Sequence, residues 1–354
     1  MNMKRAGLTL CAVMAEPGQA DGLSTDEWQG VLTLARAERI DALLDTLLTG
    51  VRKSIEVHTV LAEAARRAAK SRASMRWEVD RIEAATRHLV IPILLLKGAA
   101  HCFAGSSAAE GRFVGDVDIL VPHAALPDVE AALLAAGWVW AKSDPYDDGY
   151  YRRWMHELPP LIHAERGQMV DVHHTLLPLT AHPSPDPERL LARAVGVPGT
   201  ALLVPAVSDR LIHAAAHLLA DGELEGGLRN LWDIKCLAEE VASADLWDDL
   251  RTEAARHGLS GAVERSLRLS GRLFGTSAPV AVTGRARASD RLFERRLLAR
   301  DGWGRPRRPL TRLAFAVRGH LLRMPLRLLL PHLARKWWRQ SRASTASVNS
   351  LSER

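Results

Sequence analysis

Between residues 89 and 175 the sequence abandons the three- and four-residue apolar spacing found on either side and breaks into short apolar runs divided by Gly and Pro. Runs of this length suit buried strands, whereas the flanking stretches have the period of helices. Residues 89–96, 117–121 and 138–142 are strand candidates. Residues 99–105 and 124–136 read as helices between them, the second closed by Gly137. Residues 143–149 read as a polar turn, and 150–157, 161–166 and 169–175 as further short strands bounded by Pro159-Pro160 and Gly167-Gln168. The expected fold class is α/β (α+β).

On the N-terminal side, residues 24–89 are rich in Ala, Leu, Glu and Arg and predict two or three helices, starting at Ser24 or Thr25 with Glu27 following. After a Pro-rich link at 178–187, helical patterns resume at 209–220, 228–241, 245–257 and 259–274. The expected division is an N-terminal helical segment at 1–88, an α/β core at 89–177, a helical domain at 188–300 and a basic C-terminal extension at 301–354, whose last residues, 341–354, read as a disordered tail.

Charge sharpens this division. Residues 285–354 carry 18 Lys or Arg against four acids, a net of +14, so the rest of the chain is at −8 although the whole is +6. The high isoelectric point therefore belongs to the C-terminal part and is no sign that the core binds nucleic acid. Cys11, Cys102 and Cys236 form no CxxC pair, which argues against a disulfide framework or cysteine zinc site and suits a reducing compartment. Residues 1–15, with Lys4 and Arg5 ahead of a weakly apolar stretch, faintly resemble a signal peptide, but the stretch is short and broken by Thr9 and Cys11. No run approaches the ~20 apolar residues of a spanning helix. The expected location is the cytoplasm, or the inner face of the membrane should the basic segment dock there.

Chemistry concentrates at Gly115-Asp116-Val117-Asp118-Ile119-Leu120-Val121. Residues i and i+2 of a strand share a face, so Asp116 and Asp118 can hold divalent ions together, and hard carboxylate oxygens suit Mg²⁺. A bare DxD is more often a turn or capping group, but its surroundings are informative. Lys97-Gly98 lies at a strand-to-helix junction, where a Gly admits a phosphate close to the backbone, and Arg112 adds a guanidinium. Asp171 stands in another strand, Met169-Val170-Asp171-Val172-His173-His174. A third carboxylate near the attacking oxygen can hold a second ion and assist deprotonation in a two-metal site.

Leu95-Leu96-Lys97-Gly98, Arg112, Asp116-Val117-Asp118-Ile119-Leu120-Val121 and Val170-Asp171-Val172-His173 together resemble the largely uncharacterised bacterial nucleotidyltransferase family of the DNA polymerase beta superfamily. Leu211-Ile212-His213-Ala214-Ala215-Ala216-His217 and Leu228-Arg229-Asn230-Leu231-Trp232-Asp233-Ile234 resemble its helical region, so the likeness spans roughly residues 25–275. The resemblance implies a palm-like mixed sheet, an NTP donor, Mg²⁺ as cofactor, and Asp116, Asp118 and Asp171 as metal-binding catalytic acids. One departure stands out: the wider superfamily carries Gly-Ser where this chain has Gly98-Ala99.

Other residues keep two readings. Lys97 pairs with triphosphate or only caps a strand; Arg112 contacts phosphate or pairs with Asp116. His173, two residues after Asp171, shares its strand face and orients that carboxylate or a substrate, or is a satisfied half-buried histidine. His213 and His217, spaced i and i+4, are zinc ligands or a polar contact, with Asp233 their expected hydrogen-bond partner. The stretch 313–338 mixes apolar residues with Arg and ends in Trp337-Trp338, which suits packing on the domain, an anionic membrane surface or, less well, nucleic acid. The functional expectation is nucleotidyl transfer from an NTP to a small-molecule, protein or polysaccharide-precursor acceptor. The alternative is a non-catalytic binding module of the same fold, associated with a membrane surface.

Overall fold

The computed structural model describes residues 6–141, 145–221, 224, 226–241, 243–327 and 329. Four α-helices precede the sheet: α1 (Ala6–Ala15), α2 (Thr25–Ala37), α3 (Asp41–Leu47) and α4 (Ile55–Thr86). The α2 start is local chemistry: the Ser24 hydroxyl accepts from the Glu27 amide while the Glu27 carboxylate accepts from the Ser24 amide, a capping box. Ser54 caps α4 by a single bond, its hydroxyl accepting from the Val57 amide.

The sheet region runs β1 (Ile93–Leu95), α5 (Lys97–Phe103), β2 (Asp116–Leu120), α6 (Leu126–Ala135), β3 (Trp138–Trp140), α7 (Pro145–Trp154), β4 (Leu161–His163) and β5 (Met169–His173). There follow α8 (Pro187–Ala192), β6 (Val195–Gly196), β7 (Leu202–Val204) and the helices α9 (Val207–Ala216), α10 (Gly227–Glu240), α11 (Ala244–Arg256), α12 (Ser260–Phe274), α13 (Val280–Thr283), α14 (Asp290–Leu297) and α15 (Pro309–Arg323). The strand order is β3-β4-β5-β2-β1-β7-β6. The β5–β2 and β1–β7 pairs are parallel and the rest antiparallel, so the sheet is mixed.

Strand alternation divides the sheet into two faces. Leu95, Val117, Ile119, Val170 and Val172 point to one side and bury against Met75, Val79 and Ile82 of α4 and Val129 and Leu133 of α6. Each fully buried aliphatic side chain contributes about 1.5–3 kcal/mol. The register pairs Leu94 with Leu120, Leu120 with His173 and Asp118 with Asp171, so Asp116, Asp118, Asp171 and His173 lie on the opposite side. There Leu94 and Leu120 join Leu176 and Leu190 in a smaller cluster.

The largest core is helical and draws on both ends of the chain: Leu10, Val13 and Met14 of α1 and Val31 and Leu34 of α2 share it with Leu211, Leu231, Leu267 and Phe315. Residues 6–15, which have a faint signal-like texture, are thus a buried helix.

Three sequence expectations change. Residues 150–157 are largely helical, since α7 occupies most of what reads as turn and strand; Ser143 lies outside the described residues. Tyr150 and Tyr151 give the segment strand texture, but Arg152 pairs with Asp148 one turn earlier at 2.9 Å and with Glu130 of α6 at 2.6 Å, which favours a helix docked on α6. Two short strands, β6 and β7, join the sheet without a periodic signal of their own. The strand expected at 89–96 is reduced to three residues because a 3₁₀ turn holds 87–89.

Of the basic stretch 313–338, residues 328 and 330–338 lie outside the described residues, as does the expected tail. The described part of α15 packs through Phe315, edge-on to Phe293 with ring centroids 5.0 Å apart, and through Arg318, which donates to the Leu219 carbonyl at 2.6 Å. No helix among the described residues is long and apolar enough to cross a membrane.

Candidate active site

The three aspartates converge because two parallel strands bring them into register. Asp118 of β2 and Asp171 of β5 are directly opposite one another, and Asp116 is two residues before Asp118 on the same face. The entry to β2 is held from the far side of the sheet: Ser71 of α4 donates its hydroxyl to the Val114 carbonyl at 2.6 Å and accepts from the Val114 amide at 2.9 Å. Nothing in the sequence around Ser71 marks it for this role.

Asp118 is the best-fixed of the three. Its Oδ1 accepts from Lys97 Nζ at 2.5 Å and from His173 Nε2 at 3.0 Å. Burial opposes both charges of the Lys97–Asp118 pair, yet Lys97 and His173 hold Asp118 well below the usual carboxylate range. Burial likewise opposes the Lys97 ammonium, but Asp118, with Glu157 and Asp171 nearby, holds it well above its ordinary value. The Lys97 ammonium is therefore paired within the site while its side chain stays partly exposed. Its backbone is left-handed, with φ +45°, a costly conformation for a residue with a Cβ.

His173 shares the acid face as its spacing predicts, but it bonds Asp118 rather than Asp171 and lies 3.4 Å from Glu157 Oε2. Burial pushes its imidazole down, so the neutral ring donates from Nε2–H. His156 stacks on it with centroids 5.1 Å apart and also approaches Glu157, at 3.7 Å. His174 points away and bonds the Met155 carbonyl at 3.2 Å.

Asp116 and Asp171 are electrostatically less satisfied. Burial, then the Asp118 charge, raises both carboxyls, that of Asp171 up to about 7. Asp171 Oδ1 is buried without a hydrogen-bond partner among the described residues. An orphaned carboxylate oxygen beside two further carboxylates fits the hard-oxygen preference of Mg²⁺, so the residues present suit such an ion.

Arg112 does not pair with Asp116. Its guanidinium bonds Asp233 of α10, which also accepts from Arg229 Nε at 3.0 Å. Arg229 reaches on to the carbonyls of Ala108 and Glu110, the latter at 3.1 Å. Asp233 is therefore the buried counter-ion of two arginines, not the partner expected for His213 and His217. Burial pushes the His213 imidazole well below its ordinary value, with Lys97, His217 and His173 adding to the effect.

Gly98 is held close from the side: a Cβ there would lie 3.1 Å from Arg112 Nε and from a Val114 methyl. Ala99 is buried in the apolar cluster behind the sheet. A hydroxyl at that position would point into the core, so the departure from Gly-Ser removes nothing from the open side.

In front of the acids lies an open cleft of about 740 Å³. Lys97, Gly98, Asp116 and Asp118 line it together with Glu38, Arg39, Arg229 and Arg300. Arg39 and Arg300 come from parts of the chain with no chemical motif, and no sequence signal ties them to the site.

The family whose sequence model matches residues 24–275 is described as an uncharacterised nucleotidyltransferase. A search of curated proteins gave no match. Among solved structures, the solution structure of the antibiotic-resistance factor ANT(2'')-Ia is similar over 52% of this chain and 92% of its own, at 12% identity and a TM-score of 0.35.

Proposed function

The chain belongs to this family of uncharacterised nucleotidyltransferases, and on that premise we propose that it moves a nucleoside monophosphate from an NTP to an acceptor hydroxyl or phosphate, releasing pyrophosphate. The observation that carries the reading is the register of β2 and β5, which sets Asp118 opposite Asp171 with Asp116 beside them at the mouth of the cleft.

Asp116, Asp118 and Asp171 would hold two Mg²⁺ ions, which when bound neutralise the charge on the transferring phosphoryl group and its leaving oxygen. The protein's part is positioning. Lys97 and His173 fix the Asp118 carboxylate through one oxygen, leaving the other for ligation. The Asp171 carboxylate also assists removal of the acceptor's proton as the acceptor oxygen attacks. Lys97 and Gly98 line the wall along which the triphosphate lies, and Arg112 keeps the approach to β2 anchored to α10.

A second reading, a nucleotide-binding module without turnover, draws on the Lys97–Asp118 pair, because an ammonium already satisfying this carboxylate competes with metal ligation. The two separate cleanly. With α-labelled NTPs offered to lysate fractions, the catalytic reading expects a labelled product, pyrophosphate release, and loss of both in Asp116→Asn. Mg²⁺-dependent NTP binding without any labelled product favours the module. Pyrophosphate release that survives Asp116→Asn removes the catalytic role of the triad.

A further inference from the structure

The cationic side chains that line the cleft are nearly all committed elsewhere. Lys97 Nζ donates to Asp118 at 2.5 Å, Arg112 to Asp233, Arg229 Nε to Asp233 at 3.0 Å, and Arg300 Nε to Glu38 at 2.7 Å. Arg39 differs. It lines the same cleft and is exposed, and among the described residues its guanidinium has no hydrogen bond or ion pair.

Its backbone is equally out of keeping with a passive surface residue. Helix α2 ends in a Schellman turn: the Ile40 amide donates to the Ala35 carbonyl at 2.8 Å and the Arg39 amide to the Arg36 carbonyl at 3.2 Å, which places Arg39 at the left-handed position with φ +58°. Glycine is the usual occupant because a Cβ is disfavoured there. An arginine at this position costs stability, and its charge satisfies nothing among the described residues.

We infer that Arg39 binds the polyphosphate of the donor nucleotide, supplying a cationic contact whose charge, unlike those of Lys97 and Arg112, is not shared with a carboxylate among the described residues. The inference rests on the nucleotidyltransferase reading of the acids. A guanidinium suits the task because its fork of donors matches phosphate oxygens two at a time. The adjacent Glu38, tied to Arg300 and to the Leu228 amide at 3.3 Å, fixes the turn that carries it.

The position offers a test that separates binding from folding, because Arg39→Gly removes the side chain while relieving the backbone. Calorimetry with each of the four common NTPs, the matching nucleosides and inorganic tripolyphosphate would be run on wild type, Arg39→Gly and Arg39→Lys. A charge-assisted contact of this kind is worth about tenfold to a hundredfold in affinity. The expected result is at least a tenfold loss of NTP and tripolyphosphate affinity in Arg39→Gly, unchanged nucleoside binding, partial recovery in Arg39→Lys, and a melting temperature equal to or above wild type. NTP affinity unchanged in Arg39→Gly overturns the inference, whatever happens to tripolyphosphate. A phosphate borne by the acceptor would show itself in that outcome as lost tripolyphosphate binding with NTP binding intact. If wild type binds no NTP, the reading of the acids fails as well; if wild type binds NTP in an Asp116-dependent way and Arg39→Gly matches it, only the role of Arg39 falls.

Discussion

Asp118 and Asp171 face one another across the parallel pair β2–β5, and only the first of them is satisfied from within the protein. Lys97 and His173 stabilise the Asp118 charge, while Asp171 has a buried oxygen without a partner and a carboxyl raised to about 7 by burial and by Asp118. One member of the pair is thus a fixed anion and the other is poised between its two protonation states.

His173 acts on the site through Asp118. Replacing it by Phe keeps the bulk against His156 but removes the donor to Asp118 Oδ1. Second-sphere partners of ligating carboxylates are worth about 10–100-fold in metal affinity or activity. The expected outcome is a loss of that size in Mn²⁺ affinity, read by electron paramagnetic resonance, with a retained far-ultraviolet circular dichroism spectrum. Wild-type affinity in His173→Phe would show that the histidine is only a core residue.

Asp233 is the hinge of the contact between α10 and the loop ahead of β2. Its removal leaves the buried Arg229 and the half-buried Arg112 without their shared counter-ion, whereas Arg112→Ala leaves Asp233 still paired with Arg229. Breaking a buried charge cluster from one side costs about 3–5 kcal/mol. Urea unfolding should therefore rank Asp233→Ala well below Arg112→Ala, and the double variant should show a coupling energy between the two.

Gly111 turns the loop under α3. Its φ is +55°, and a Cβ would meet the Leu43 backbone at 2.3 Å, a contact that no side-chain adjustment relieves. Gly111→Ala should cost more than the ~1–3 kcal/mol of backbone strain alone. A melting temperature within a degree of wild type would show that α3 shifts freely, contrary to its tight packing on this loop.

Acid sensitivity should come in part from Glu253. Hydrogen bonds from Arg189, together with the charges of Arg193 and Arg256, lower its carboxyl from 4.5 to about 2. A carboxyl depressed in the folded state binds fewer protons there than in the unfolded chain, so its contribution is fully present above its unfolded value and is lost as pH falls through its folded one. Stability should decline between about pH 4.5 and 2, and Glu253→Gln should show a shallower decline over that window while being less stable at pH 7. Parallel curves for the two proteins would assign the acid sensitivity elsewhere.

What the sequence determines by itself is local. The two-residue period of a strand puts Asp116 and Asp118 on one face, the Ser24–Glu27 box starts α2, Gly137 closes α6, and the change of period after residue 88 separates sheet from helix. The family likeness then supplies Asp171 as the third acid, because no spacing rule ties positions so distant along the chain. Only the tertiary structure decides which charges meet. Lys97 goes to Asp118, Arg112 to Asp233 and His173 to Asp118 because burial penalises an unpaired charge, and packing settles which partner lies within reach. Arg39 enters the cleft for the same reason in reverse: α2 and α10 share one core, which carries the end of α2 to the mouth of the acid site and leaves this guanidinium without a partner among the described residues.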